Sequence, residues 1–157
     1  MATVEEDVIV TASLADAWEA YFEPRTWASW VDSFASVTAL EGYPQAGGML
    51  RWKSVPAGRG EVTEHVMEHE PRRLHRIRFS DPSLEGEMAV SFAIEGEGTK
   101  IRAVFEYRVV DPSLFARAAS VIFVKPQIRG TLRRSLDAFA NEVGELSDTR
   151  RGSPAVD

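Results

Sequence analysis

The stretch from Gln127 to Leu146 constrains this fold more than any other. Its apolar residues are Ile128, Leu132, Leu136, Phe139, Val143 and Leu146, spaced four, four, three, four and three apart. That is the period of an α-helix with one buried stripe. Arg129, Arg133, Arg134, Asp137, Glu142 and Glu145 fall mostly on the other side. A helix this long with so narrow a stripe needs a large apolar surface to lie on, and the rest of the chain has to supply it.

The remaining patterns are mostly those of strands. Val4 to Thr11 alternates, with Val8 and Val10 on one face. Ser13 reads as a helix N-cap for a stripe of Leu14, Ala17, Trp18 and Tyr21, which Pro24 ends. A short helical turn through Trp27 and Trp30 follows. Strands are then predicted over Phe34–Leu40, Met49–Val55, Glu61–Glu70, Arg73–Ser80, Glu87–Glu95 and Thr99–Val110, punctuated by glycine and proline. With Pro71-Arg72 as a two-residue turn, Val66 faces Ile77 and Glu64 faces Phe79. With Glu97-Gly98 as the next, Phe92 faces Ala103 and Val90 faces Phe105. Both apolar faces then land on one side. Asp111-Pro112 reads as a cap before an apolar helical segment, Ser113 to Phe123, which Pro126 kinks or interrupts.

The expected architecture is α+β: a curved antiparallel sheet of about six to seven strands wrapped around the long C-terminal helix, with one or two short helices after the first strand. At 157 residues this is one domain over 1–147, and 148–157 is expected to be a disordered tail.

Several function classes are disfavoured. The net charge is −6 and no run of five basic residues occurs, so nucleic acid is not an expected partner. There is no cysteine, which excludes disulfides and thiolate chemistry. No apolar run approaches the roughly 20 residues of a membrane span. The acidic N-terminus lacks the features of a signal peptide, and a cytoplasmic location is expected. The segment His65-Val66-Met67-Glu68-His69 matches a zinc-protease pattern, H-x-x-E-H, that requires a helix. Its surroundings favour a strand, where residues four apart are separated by roughly 13 Å, so no metal site is expected. The strand register points His65 and His69 outward. No cofactor is expected.

The same register points Glu64, His75 and Tyr107 inward as candidate catalytic groups. A carboxylate in an apolar cavity would serve as acid or base, unless it sits at the mouth in water or pairs with Arg51. His75 would move protons, and Tyr107 would orient a carbonyl or phenol. Candidate lining residues are Trp27, Trp30, Trp52, Val66, Ile77, Met88, Val90, Phe92, Phe105, Phe115 and Phe123. Packed core is the competing reading for each. Arg72, Arg73, Arg76 and Arg78 are expected on the solvated outer face with Glu61, Glu85 and Glu87.

The chain resembles the START-like (Bet v 1-like, SRPBCC) superfamily with its helix-grip fold, and within it the polyketide cyclase/dehydrase and lipid-transport group. The resemblance is carried by Val-Ile-Val-Thr-Ala-Ser-Leu-Ala-Asp-Ala-Trp-Glu-Ala-Tyr over 8–21 and by Trp27-Ala28-Ser29-Trp30-Val31. Further on, it is carried by Val66 to Leu74 and by Leu132-Arg133-Arg134-Ser135-Leu136. These motifs are specific for the fold and weak for an activity. The resemblance implies a deep apolar cavity between sheet and helix that takes a small hydrophobic partner such as a lipid or polyketide. It leaves three roles open: a binding or carrier protein, a cyclase/aromatase or dehydratase, and an interaction module. A carrier needs a continuous apolar cavity. A cyclase needs at least two polar groups converging on it. An interaction module would show a filled cavity and an exposed apolar patch.

Overall fold

The computed structural model of the chain describes residues 1–110 and 118–152, with side chains described over 1–110 and 124–146. In chain order the elements are β1 (Ala2–Val10), α1 (Leu14–Tyr21), a 3-10 turn (Pro24–Thr26), α2 (Trp27–Trp30), β2 (Phe34–Glu41) and β3 (Met49–Ser54). Then come β4 (Glu61–Glu70), β5 (Leu74–Ser80), β6 (Leu84–Glu95), β7 (Gly98–Val109) and α3 (Ala118–Gly152). The seven strands form one antiparallel sheet in the order β1-β7-β6-β5-β4-β3-β2. The sheet is curved and open, and its inner face carries α3, the helix-grip arrangement. None of the described helices is long and apolar enough to cross a membrane.

Local chemistry explains the first turns. The Ser13 hydroxyl accepts from the Asp16 N–H at 3.1 Å and caps α1. The Glu23 carboxylate accepts from the Arg25 N–H at 3.2 Å, and Pro24 opens the 3-10 turn. α3 continues through Pro126, where the sequence pattern predicts a kink or an interruption; the helix is not interrupted. A proline removes one N–H and crowds one carbonyl, a local cost that the turns on either side outweigh here. The Asp111-Pro112 cap and the segment through Leu114 and Phe115 lie outside the described residues. So does the side chain of Phe123.

The hairpins depart from the predicted turns. Between β4 and β5, Glu70 pairs with Leu74, so Pro71, Arg72 and Arg73 all lie in the turn, with Arg72 at φ +64°. One extra residue in the turn would shift the whole register. A β-bulge at Met67 absorbs it, and Val66 still faces Ile77 and Glu64 still faces Phe79. Beyond the bulge the parity reverses. His69 is opposite His75 on the inner side, not outward as the straight register predicts. Between β6 and β7 the turn is Gly96-Glu97, with Gly96 at φ +57°. Val90 therefore faces Ala103 and Phe92 faces Ile101, two residues from the expected pairing. A slip of two preserves the face, so the inward set is unchanged.

The core has two parts. One is packed under α1, α2 and the second half of α3, where Leu136, Phe139 and Val143 are buried with Trp18, Trp27, Trp30 and Phe92. The other gathers Val4, Val66, Ile77, Phe79, Phe105 and Tyr107 toward the first half of α3. Tyr43, Met88 and Leu132 touch both. Along the α3 stripe, Ile128 and Leu132 are only half-buried, and Leu146 is 50 % exposed. The helix therefore seals the sheet at one end and leaves a gap at the other. On the outer face, Arg76 pairs with Glu68 at 3.0 Å, and Glu87 lies 3.8 Å from Arg76 and 3.7 Å from Arg78.

Candidate functional site

The gap is a half-open cavity of about 700 Å³ between the sheet and α3, at the seam between the two core clusters. Eight aromatic side chains line it: Tyr21, Trp27, Trp30, Phe34, Tyr43, Trp52, Phe79 and Phe105. Met88, Ile77, Ile128, Leu132 and Leu136 add aliphatic surface. At the rim, Arg134 of α3 pairs with Asp32 at 3.1 Å, and the Asp32 N–H donates to Ser135 Oγ at 2.9 Å. These contacts tie the loop after α2 to the long helix.

The lining tryptophans are fixed by their indole N–H groups. Trp27 Nε1 donates to the Tyr21 carbonyl at 2.9 Å, and Trp30 Nε1 donates to Thr26 Oγ1 at 3.2 Å. Trp52 Nε1 donates to Glu64 Oε2 at 2.7 Å. Trp52 and Glu64 sit on adjacent strands, with Trp52 paired to Val62 and Leu50 to Glu64, so the bond runs diagonally along one face.

Glu64 lines the cavity as the register predicts. It does not pair with Arg51, which reaches Glu61 at 3.6 Å instead. The Glu64 side chain is half-buried on the cavity wall. Burial pushes its pKa above the ordinary carboxylate range, partly offset by the Trp52 bond and the positive charge of Arg59. The hydroxyls of Tyr21 and Tyr43 stand close enough to feel the Glu64 charge, and burial first, then that charge, raises both tyrosine pKa values. Neither hydroxyl has a hydrogen-bond partner among the described residues. Tyr43 is held in place because its loop is pinned to β4: the Gly47 N–H donates to the Val66 carbonyl at 3.0 Å, and the Val66 N–H to the Gly48 carbonyl at 2.9 Å.

Two arginines line the cavity, Arg134 paired with Asp32 at the rim and Arg59 among the aromatic walls. Arg59 sits between Gly58, which packs against Ser54 and Ser33 with no room for a side chain, and Gly60 at φ +84°. Its Nε donates to Asp81 Oδ2 at 2.9 Å. Its guanidinium carbon lies 5.1 Å from the Phe79 ring centroid, 5.7 Å from Phe105 and 5.8 Å from Trp52.

Of the predicted lining residues, Trp27, Trp30, Trp52, Ile77, Met88 and Phe105 face the cavity. Val66, Val90 and Phe92 point inward but do not line it. Phe92 is covered by Trp18 and Tyr21 at 4.9 and 5.5 Å, and Val66 and Val90 are sealed in the two clusters. Strand parity names a face and not the depth of what lies above it. The other two catalytic candidates are also set apart. His75 is 2 % exposed inside a ring of Phe22, Tyr43 and His69, and burial, followed by the neighbouring His69, pushes its pKa down to about 3. Tyr107 is 4 % exposed beside Phe105 and off the cavity wall, with its pKa raised by burial. Sequence reasoning missed Tyr21, Tyr43 and Arg59 as site residues. Tyr21 reads as helix stripe, and Tyr43 and Arg59 sit in turns where alternation gives no direction. Among the described residues no group of three or more His, Asp or Glu is placed to hold a metal ion.

A family model described as polyketide cyclase / dehydrase and lipid transport matches residues 1–144. No curated protein matches the chain by sequence. Solved structures share the fold. A Rhizobium leguminosarum protein superposes with a TM-score of 0.71 at 16 % identity, over 92 % of this chain and 95 % of that one. Norcoclaurine synthase from Thalictrum flavum, in complex with dopamine and hydroxybenzaldehyde, gives 0.66 at 20 % identity over 92 % and 87 %. A Thermus thermophilus protein gives 0.67 at 18 % identity over 93 % and 99 %.

Proposed function

Because the chain belongs to the polyketide cyclase / dehydrase and lipid transport family, we propose that it binds a small hydrophobic molecule, polyketide-like or lipid-like, in the cavity between the sheet and α3. The observation that carries this reading is the space of about 700 Å³ walled by eight aromatic rings. Protein interiors leave few voids larger than a water molecule, so a largely apolar space of this size that no described side chain fills is the expected form of a ligand site. Rigid aromatic walls favour a flat, ring-containing occupant over a flexible chain. The norcoclaurine synthase neighbour, solved with dopamine and hydroxybenzaldehyde, is a protein of this fold that takes small aromatic molecules. A cavity that the described side chains leave open also argues against a pure interaction module.

The experiment is native mass spectrometry of the protein as purified, beside Met88→Trp. Met88 faces the cavity from the middle of the sheet, so a larger ring there occupies ligand space while the fold is kept. The expected result is an adduct of a few hundred daltons on the native chain, absent from the variant. An adduct retained in a folded Met88→Trp protein places the ligand elsewhere.

One further observation favours a second, enzymatic reading: Glu64 and the hydroxyls of Tyr21 and Tyr43 converge on the same cavity. In a cyclase or dehydratase, a tyrosine hydroxyl would polarise a carbonyl. Glu64, protonated more readily than an ordinary carboxyl, would deliver or accept the proton of an enolate or departing hydroxyl. Under this reading Glu64→Gln abolishes turnover of the co-purified molecule and leaves its binding within a few-fold; unchanged turnover removes Glu64 from the mechanism.

A further inference from the structure

Resting on the reading that the cavity holds a ligand, we propose that Arg59 selects ligands whose ring system carries an acidic oxygen, of the carboxylate, sulfonate or phenolate kind. The guanidinium is short of acceptors. Of its five donor hydrogens, the one on Nε goes to Asp81. Nη2 is buried with no hydrogen-bond partner, and no bond from either η nitrogen is made among the described residues. A buried charged donor without an acceptor is costlier than a neutral one, so the missing partner matters.

Asp81 does not supply it. Its Oδ2 accepts from Arg59 Nε, and its Oδ1 accepts from the Ser83 and Leu84 N–H groups at 2.9 and 2.8 Å. The carboxylate is thus divided between holding the arginine and holding the turn between β5 and β6. Glu64 does not supply it either. The two charges interact, but Asp81 is the only carboxylate within ion-pair distance of Arg59 among the described residues, and burial favours the neutral form of Glu64.

The rings that surround the guanidinium, Phe79, Phe105 and Trp52, are also cavity walls. An aromatic occupant lying on those walls brings its substituents to the guanidinium. An anionic oxygen there makes a charge-assisted bond where water is scarce, the strongest complement an arginine fork can find. Glu64, bonded to the Trp52 indole, is near enough to feel the guanidinium charge, and in its protonated form it does not repel such a ligand. The cavity wall therefore sets an arginine with an unpartnered donor, and a carboxyl whose neutral form burial favours, against the same aromatic surface. This arrangement suits an aromatic acid better than a neutral lipid.

The test uses two fluorescent probes of similar shape, anilinonaphthalene sulfonate and N-phenylnaphthylamine, which differ in the acidic group. Both are titrated into the native protein, Arg59→Gln, and the double variant Arg59→Gln/Asp81→Asn. The double variant replaces the ion pair by an amide pair and guards against a buried lone Asp81. The native protein is expected to prefer the sulfonate. Both variants are expected to lose roughly 10- to 100-fold in sulfonate affinity, the scale of one charge-assisted bond, and to hold the neutral probe within about two-fold. Sulfonate affinity that survives in the folded double variant, or an equal loss for both probes, overturns the role of Arg59. Met88→Trp separates the two failures. If it leaves both probes bound as in the native protein, the cavity reading itself fails and takes this inference with it.

Discussion

Trp52 Nε1 donates to Glu64 Oε2 across 2.7 Å, and both side chains belong to the cavity wall. The bond anchors one carboxyl oxygen and supplies part of what offsets the desolvation of the group. An indole suits this role because it combines a large apolar ring with one donor and no competing acceptor.

Trp52→Phe keeps most of the ring and removes the donor. Glu64 then loses the bond that lowers its pKa, so its titration midpoint should move further up. Carboxyl-carbon NMR of the native protein and the variant checks this. The unpartnered oxygen should also cost about 1–3 kcal/mol in urea unfolding. A midpoint that stays put or falls would show that the bond does not tune the acid.

Glu64 should also set a slope in stability against pH. Its folded pKa lies above its ordinary value of 4.5, so the folded state holds the proton more tightly than the unfolded chain. The contribution is full below pH 4.5 and is lost as pH rises through the folded pKa. Glu64→Gln stays neutral throughout and should remove this decline. The comparison is unfolding free energy at several pH values from about 4 to 8 for both proteins.

His75 acts in the opposite sense. Its pKa is pushed from 6.5 down to about 3, so the folded state refuses a proton that the unfolded chain accepts. Stability should fall as pH drops below 6.5 and continue falling to about pH 3, by on the order of a few kcal/mol. His75→Phe fills the same ring of aromatics, carries no proton and leaves no orphaned Nε2. It should flatten the acid limb of the unfolding curve. An unchanged limb would mean that other groups govern acid unfolding.

The bulge at Met67 gives a backbone prediction. Met67 is 40 % exposed and is the unpaired residue between Val66 and Glu68. Deleting it straightens β4 without changing any pair, and His69 stays opposite His75. The deletion should leave the fold intact, and the contact between the two imidazoles should survive in NOE spectra. Loss of that contact would show that the bulge itself orients His69.

The sequence was most legible where alternation and turns agreed. The inward faces of β6 and β7 came out correctly even though the turn was misplaced, because the resulting two-residue slip in pairing preserves parity. Glu64 came out correctly for a different reason: the bulge compensated the misread turn. His69 did not, because it lies between the two and its direction depends on the residue that the bulge absorbs. The division of inward residues into core and cavity wall was not legible at all. Val90 and Met88 share a face, yet one is sealed and the other borders the gap, and the difference is where α1 and α3 lie above them. Arg59 and Tyr43 were invisible because turns carry no periodicity.

Whether a ligand lies between the sheet and α3 can be read from the four tryptophan indoles. Their nitrogen-proton NMR signals would be followed during titration with N-phenylnaphthylamine. Trp27, Trp30 and Trp52 line the cavity, whereas Trp18 is packed between Phe22, His69 and Phe92 outside it. The expected outcome is saturable shifts of the Trp27, Trp30 and Trp52 indole signals with Trp18 nearly still. Saturable binding that moves Trp18 most, or that leaves the three lining indoles unmoved, would show that the cavity is not the binding site.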